Sequence, residues 1–151
     1  MLLNYQQRNA DFLAAARQAA RRELAAGHTL STRSLIDMVL SQPAPAYYVS
    51  AEYVLRRLRL LKSGRATCSN PRRKAMFDEI EQKFNQLRAK HPDADHFTLL
   101  DDMLGHDGPG ASSFFISHEY ALRLFCGSAR RSRRRTPHSR HNGGSITNKS
   151  R

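Results

Sequence analysis

Arginines three apart on a helix form a row of permanently charged, planar forks suited to phosphate oxygens. Arg56, Arg59 and Lys62 have that spacing, with Arg57 beside them and Arg65 just beyond. At ~100° per residue, Arg56, Arg59 and Lys62 fall along one side of a helix. Val54, Leu55, Leu58 and Leu61 supply its apolar side. Two further basic groups follow: Arg72, Arg73 and Lys74, and then Arg130, Arg131, Arg133, Arg134 and Arg135. All of these residues are expected to meet nucleic-acid phosphates. The row on the helix is the one expected to hold a fixed register against bases.

Other chemistry finds no matching constellation. His91, Asp93, Asp95, His96, His106 and Asp107 lie close in the chain. They form no HExxH, no Cys/His ligand spacing and no EF-hand loop, and Asp93 and Asp95 read as helix-start residues. His106-Asp107-Gly108-Pro109-Gly110 carries glycines but follows a helix and lacks the GK[ST] of a phosphate loop. Cys68 sits among Arg65, Asn70, Arg72 and Arg73, cations that favour a thiolate. No His or Asp is aligned to complete a nucleophilic arrangement, so it reads as a surface thiol. The expectation is a protein without catalytic activity, metal or cofactor.

The charge is large and uneven. The chain has 151 residues and a formal net charge of +12. Residues 1–70 hold ten basic and four acidic residues, 71–129 seven and nine, and 130–151 eight and none. The last stretch has Ile146 as its sole sizeable apolar residue. It cannot bury enough surface to offset its ordering entropy, so 128–151 is expected to be a disordered Arg/Ser-rich tail that attracts polyanions. The two cysteines form no CxxC, no apolar h-region stands at the start, and no run approaches the ~20 apolar residues of a span. An intracellular, cytoplasmic setting without membrane insertion is expected.

The elements that must position these charges follow from an internal similarity. Tyr47-Tyr48-Val49-Ser50-Ala51-Glu52-Tyr53 and Phe114-Phe115-Ile116-Ser117-His118-Glu119-Tyr120 correspond at an offset of 67. Leu35 to Leu40 and Leu99 to Leu104 correspond at 64, which places a three-residue longer loop in the second copy. Two copies of a three-helix unit are read, about 5–65 and 70–127, packed as one domain spanning 1–127. The first helix runs about 5–26, with Phe12, Leu13, Ala16, Ala20 and Leu24 as its stripe and Gly27 as its stop. Its counterpart starts at Asn70-Pro71 and carries Met76, Phe77, Ile80, Phe84 and Leu87. The second helices cover about 32–41 and 95–104, capped by Ser31 or Thr32 and by Asp93 or Asp95.

The third helices begin at Ser50 and Ser117, whose hydroxyls accept from early N–H groups. Glu52 and Glu119 stand four residues before Arg56 and Arg123, the order that favours an ion pair. The aromatic segments ahead of these helices are apolar and β-prone, able to plug each unit and to pair with each other. Residues 32–41 and 51–62 also have the outline of a helix-turn-helix, with a connection longer than usual. The fold expected is all-α, with helix-turn-helix-like repeats. The function expected is binding of nucleic acid by the basic third helix and tail. The alternative is a protein–protein adaptor whose basic tail is incidental.

Overall fold

The computed structural model describes residues 4–134. Capping residues set the helix starts. The helices are α1 (Tyr5–Ala25), α2 (Thr32–Leu40), α3 (Ala51–Lys62), α4 (Pro71–Lys90), α5 (His96–Leu104) and α6 (His118–Arg134). Ser31 caps α2 and Asp95 caps α5, each accepting a backbone N–H three residues on. Ser50 accepts from Tyr53 N–H at 3.2 Å and Ser117 from Tyr120 N–H at 3.0 Å. Asn70 accepts from both Arg72 and Arg73, with Pro71 in the first turn of α4. The described residues hold no strand and no helix long and apolar enough to cross a membrane.

The helices assemble in two groups that do not follow chain order. α1, α2 and α6 pack together, and α3 packs with α4 and α5. Among the described residues α2 and α3 make no contact, so 32–62 is not a helix-turn-helix. Likewise, neither 5–65 nor 70–127 packs as a unit of its own: each third helix lies on the other pair. The cause is in the connecting segments. Tyr48 has φ of 61° and Phe115 φ of 53°, a left-handed backbone that bulky residues rarely adopt. Each residue turns an extended run aside and carries the following helix across.

These two segments are the centre of the core. Ala44 and Ala111 form an antiparallel bridge, each N–H donating to the other's carbonyl at 2.9 Å. The pairing expected of the aromatic stretches is thus confined to the alanines ahead of them, because the left-handed residues end the extended run. Tyr47 stacks on Phe115 with centroids 6.5 Å apart, and Tyr48 on Phe114 at 6.3 Å. Phe12 of α1 meets Phe114 edge-on at 5.6 Å. The phenol ends reach carboxylates on the two long helices. Tyr48 donates to Asp11 of α1, and Tyr47 donates to Glu79 of α4 at 2.6 Å. Glu79 also accepts from Ser112 N–H and hydroxyl and from Lys83 at 3.0 Å. Lys83 in turn donates to the carbonyl of Gly110 at 3.1 Å.

Three other expectations are corrected. Leu24 is 76% exposed: the buried stripe of α1 is Phe12, Ala16 and Ala19, and Leu24 lies ~140° around the helix from Ala19. Neither Glu52–Arg56 nor Glu119–Arg123 closes an ion pair among the described residues; the Arg56 guanidinium lies over the Tyr53 ring at 5.9 Å instead. Residues 128–134 belong to α6, so the expected disordered tail does not begin at 128. Arginine is a good helix former and is favoured in a last turn, which holds Arg131, Arg133 and Arg134. Arg17 of α1 donates to the Ser128 hydroxyl and ties this end down. The expected tail from 135 onward, with Arg135, lies outside the described residues.

Two outcomes test this core. Gly110 has φ of +78°, and a Cβ there would stand 2.6 Å from the Ala44 carbonyl oxygen, whereas Gly64, at φ +70°, has nothing within 4 Å. Gly64→Ala should cost only left-handed strain, about 1–3 kcal/mol. Gly110→Ala should lower the melting temperature further, and equal losses would contradict the bridge. The second outcome concerns pH. Burial raises the Glu79 pKa, but hydrogen bonds from Ser112, Tyr47 and Lys83 outweigh it and hold the carboxyl at about 2. A depressed folded-state pKa stabilises above the unfolded value of about 4.3 and is lost as pH falls toward the folded one. Thermal unfolding followed from pH 5 to pH 2 should therefore show an acid-side loss that Glu79→Gln reduces.

Candidate anion-binding cleft

Burial of the aromatic segments leaves a cleft of about 550 Å³ beside them. Three helices border it near their N-termini: α1 with Tyr5 and Arg8, α4 with Arg72 and Arg73, and α6 with Tyr120 and Arg123. Its floor is apolar, from Met76, Phe114, Phe115 and Ile116. Among the described residues the charged groups lining it are four arginines, and no Asp or Glu lines it.

Each arginine is there for a local reason. Arg8 is half-buried, with its guanidinium 4.7 Å above the Tyr5 ring and 5.4 Å from the Tyr120 ring. Its Nη2 donates to the Asn9 side chain at 3.2 Å, and Asn9 donates to the Tyr120 hydroxyl at 2.9 Å. Among the described residues no carboxylate pairs with it. Burial pushes its pKa down, although a guanidinium stays protonated in proteins. The cleft therefore holds a partly desolvated cation with no opposing charge, an arrangement an incoming anion would relieve.

Arg72 and Arg73 occupy the first turn of α4, which has no acidic residue. Exposed N–H groups and the macrodipole already make a helix N-terminus positive. Two arginines there oppose folding locally and raise the potential over the cleft. Arg123 is exposed on α6, one turn beyond Tyr120.

The structure divides the basic residues read from the sequence. Arg72 and Arg73 enter the cleft; the row on α3 does not. Arg56 and Arg59 are exposed on α3, and Arg65 is exposed in the turn after it. Lys62 faces Glu81 at 3.8 Å, a surface pair of small worth. Arg57, beside the row, is half-buried, and among the described residues its Nε has no hydrogen-bond partner. Lys62 and Lys74 border a separate hollow with Cys68. Arg130, Arg131, Arg133 and Arg134 are exposed at the end of α6.

Tyr5, Arg8, Tyr120 and Arg123 were not evident from runs of charge. A signal exists in retrospect: Tyr5–Arg8 and Tyr120–Arg123 are each three apart, which puts ring and guanidinium on one helix face. The histidine-rich stretch disperses. His106 contacts Asp11 at 2.9 Å, and Asp95 accepts from Thr98 at the start of α5. Among the described residues no group of three or more His, Cys, Asp or Glu could hold a metal ion.

Comparison of the chain with protein-family models, curated proteins and solved structures finds no match.

The charges at the start of α4 make a direct test. Replacing both Arg72 and Arg73 by Glu puts anions at the positive helix end, each change worth about 0.3–1 kcal/mol. The double variant should melt at a higher temperature than the natural protein. A lower melting temperature would mean the arginines support the fold through contacts of their own.

Proposed function

We propose that this is a nucleic-acid-binding or accessory protein with no catalytic role. The observation that carries the reading is the cleft whose charged lining is entirely arginine, set in a chain of net charge +12. Arginine suits phosphate because its fork donates in a plane and keeps its charge. It also does not exchange protons at neutral pH, which favours binding over acid–base catalysis. Further exposed cations are Arg56 and Arg59 on α3, Arg65 in the turn after it, and Arg130, Arg131, Arg133 and Arg134 at the end of α6. The last group stands on a helix, so it presents phosphate contacts at fixed spacing.

The same reading includes a duplication. We infer that two copies of a helix–helix–linker–helix unit exchange their third helices within one chain. Supporting it are features that recur in register: the reciprocal Ala44–Ala111 bridge, left-handed Tyr48 and Phe115, and serine caps at Ser50 and Ser117. In the first unit the third helix is basic; in the second it brings Tyr120 and Arg123 to the cleft. One fold thus offers two unlike cationic surfaces.

Salt dependence tests the function. Each neutralised phosphate releases counterions, so the logarithm of affinity falls with the logarithm of salt by about 0.7–0.9 per contact. Electrophoretic shifts of the full chain on mixed-sequence oligonucleotides, at 50 and 200 mM salt, should show steep weakening. Arg72→Ala with Arg73→Ala should flatten the slope by about 1–2. Binding that ignores salt, or absence of binding at the lower salt, would overturn the reading and favour an adaptor.

A further inference from the structure

Resting on the nucleic-acid reading, we propose that the cleft is built for an unpaired nucleotide of a single strand, not for duplex backbone. A duplex presents phosphates on a convex surface, and an exposed basic row or helix end suffices to meet them. The cleft has a different shape and different walls. Its volume of about 550 Å³ lies within the roughly 300–1,000 Å³ typical of sites that enclose a small molecule. Half-buried Phe115 and Tyr120 and 40% exposed Tyr5 offer ring surface beside the arginines.

That pairing of aromatic faces with guanidinium groups is the means by which proteins hold single-stranded bases: the ring stacks on the base, and the cation takes the phosphate. The geometry supplies both parts at once. The Arg8 guanidinium lies 4.7 Å from the Tyr5 ring centroid and 5.4 Å from that of Tyr120, so a phosphate drawn to it brings the attached base beside tyrosine. Arg72 and Arg73, at the positive end of α4, hold the next phosphate along the strand. Asn70 uses its side-chain oxygen on the Arg72 and Arg73 N–H groups, so its side-chain amide N–H groups remain available to a base edge. An apolar floor with cationic walls also disfavours an acidic peptide, whose carboxylates lack a flat partner for the rings.

The test uses the full chain and fluorescence anisotropy with a labelled mixed-sequence 15-mer, free and as its duplex. The single strand should bind at least tenfold more tightly than the duplex. Tyr5→Ala changes an exposed ring and leaves the core untouched. It should weaken single-strand binding roughly 5- to 150-fold, the span for loss of one stacked base, and leave duplex binding within twofold. Arg8→Gln should act in the same direction, with melting temperature recorded for both variants. Equal affinity for strand and duplex, with Tyr5→Ala silent, would overturn the proposal while the nucleic-acid reading stands. No binding of either form at low salt would overturn both. Adenosine monophosphate is the third arm. If it binds in a Tyr5-dependent way and the 15-mer does not displace it, the cleft serves a free nucleotide and the strand assignment falls.

Discussion

Two hydrogen bonds between Ala44 and Ala111 tie together the segments on which the rest of the structure depends. They hold side by side the two linkers that carry the chain into α3 and α6. Gly110 permits the approach, since a side chain there would meet the Ala44 carbonyl. Once the linkers are joined, Tyr47, Tyr48, Phe114 and Phe115 have one another as neighbours, and their stacking fills the centre. Asp11 and Glu79 then fix the phenol ends from the two long helices. Beyond the crossing, α3 packs on α4 and α5, and α6 on α1 and α2.

The cleft is a consequence of that crossing. With α6 laid on α1 and α2, its N-terminal half comes beside Arg8; α4 contributes its N-terminus from the other group. Four guanidinium groups are thereby gathered from three helices without a carboxylate among them. The fold bears a local cost in doing so, through a half-buried Arg8 and two cations at the positive end of α4. Costs of that kind are common where a site is arranged for a ligand and not for stability.

Local chemistry made much of the fold legible in the sequence. Asn70-Pro71, Asp95 and the paired serines start helices because their side chains satisfy N–H groups a few residues away. Burial of the first aromatic segment was equally readable from Tyr47 and Tyr48. Partner choice was not. An apolar stripe on α3 says that the helix needs a neighbour and not which one, so its packing on α4 and α5 is invisible to periodicity. Left-handed Tyr48 and Phe115 carry no signature, since nothing in an aromatic residue favours that backbone. Arg8 carries no signal of its own because it stands apart from the runs of basic residues, and its importance comes from Tyr120, far away in the chain. The end of α6 is not legible from apolar content, because the arginines beyond Gly127 bury little surface and yet are good helix formers.

The central claim is that the crossing of the linkers creates the place where nucleic acid is held. The most direct measurement is a backbone amide spectrum of the full chain, titrated with an unlabelled single-stranded 15-mer at low salt. The account predicts that shifts concentrate at 5–8, 70–73 and 117–123, three stretches distant in sequence and joined by the fold. Changes centred on 56–65, or confined to residues beyond 134, with the cleft amides unmoved, would contradict it.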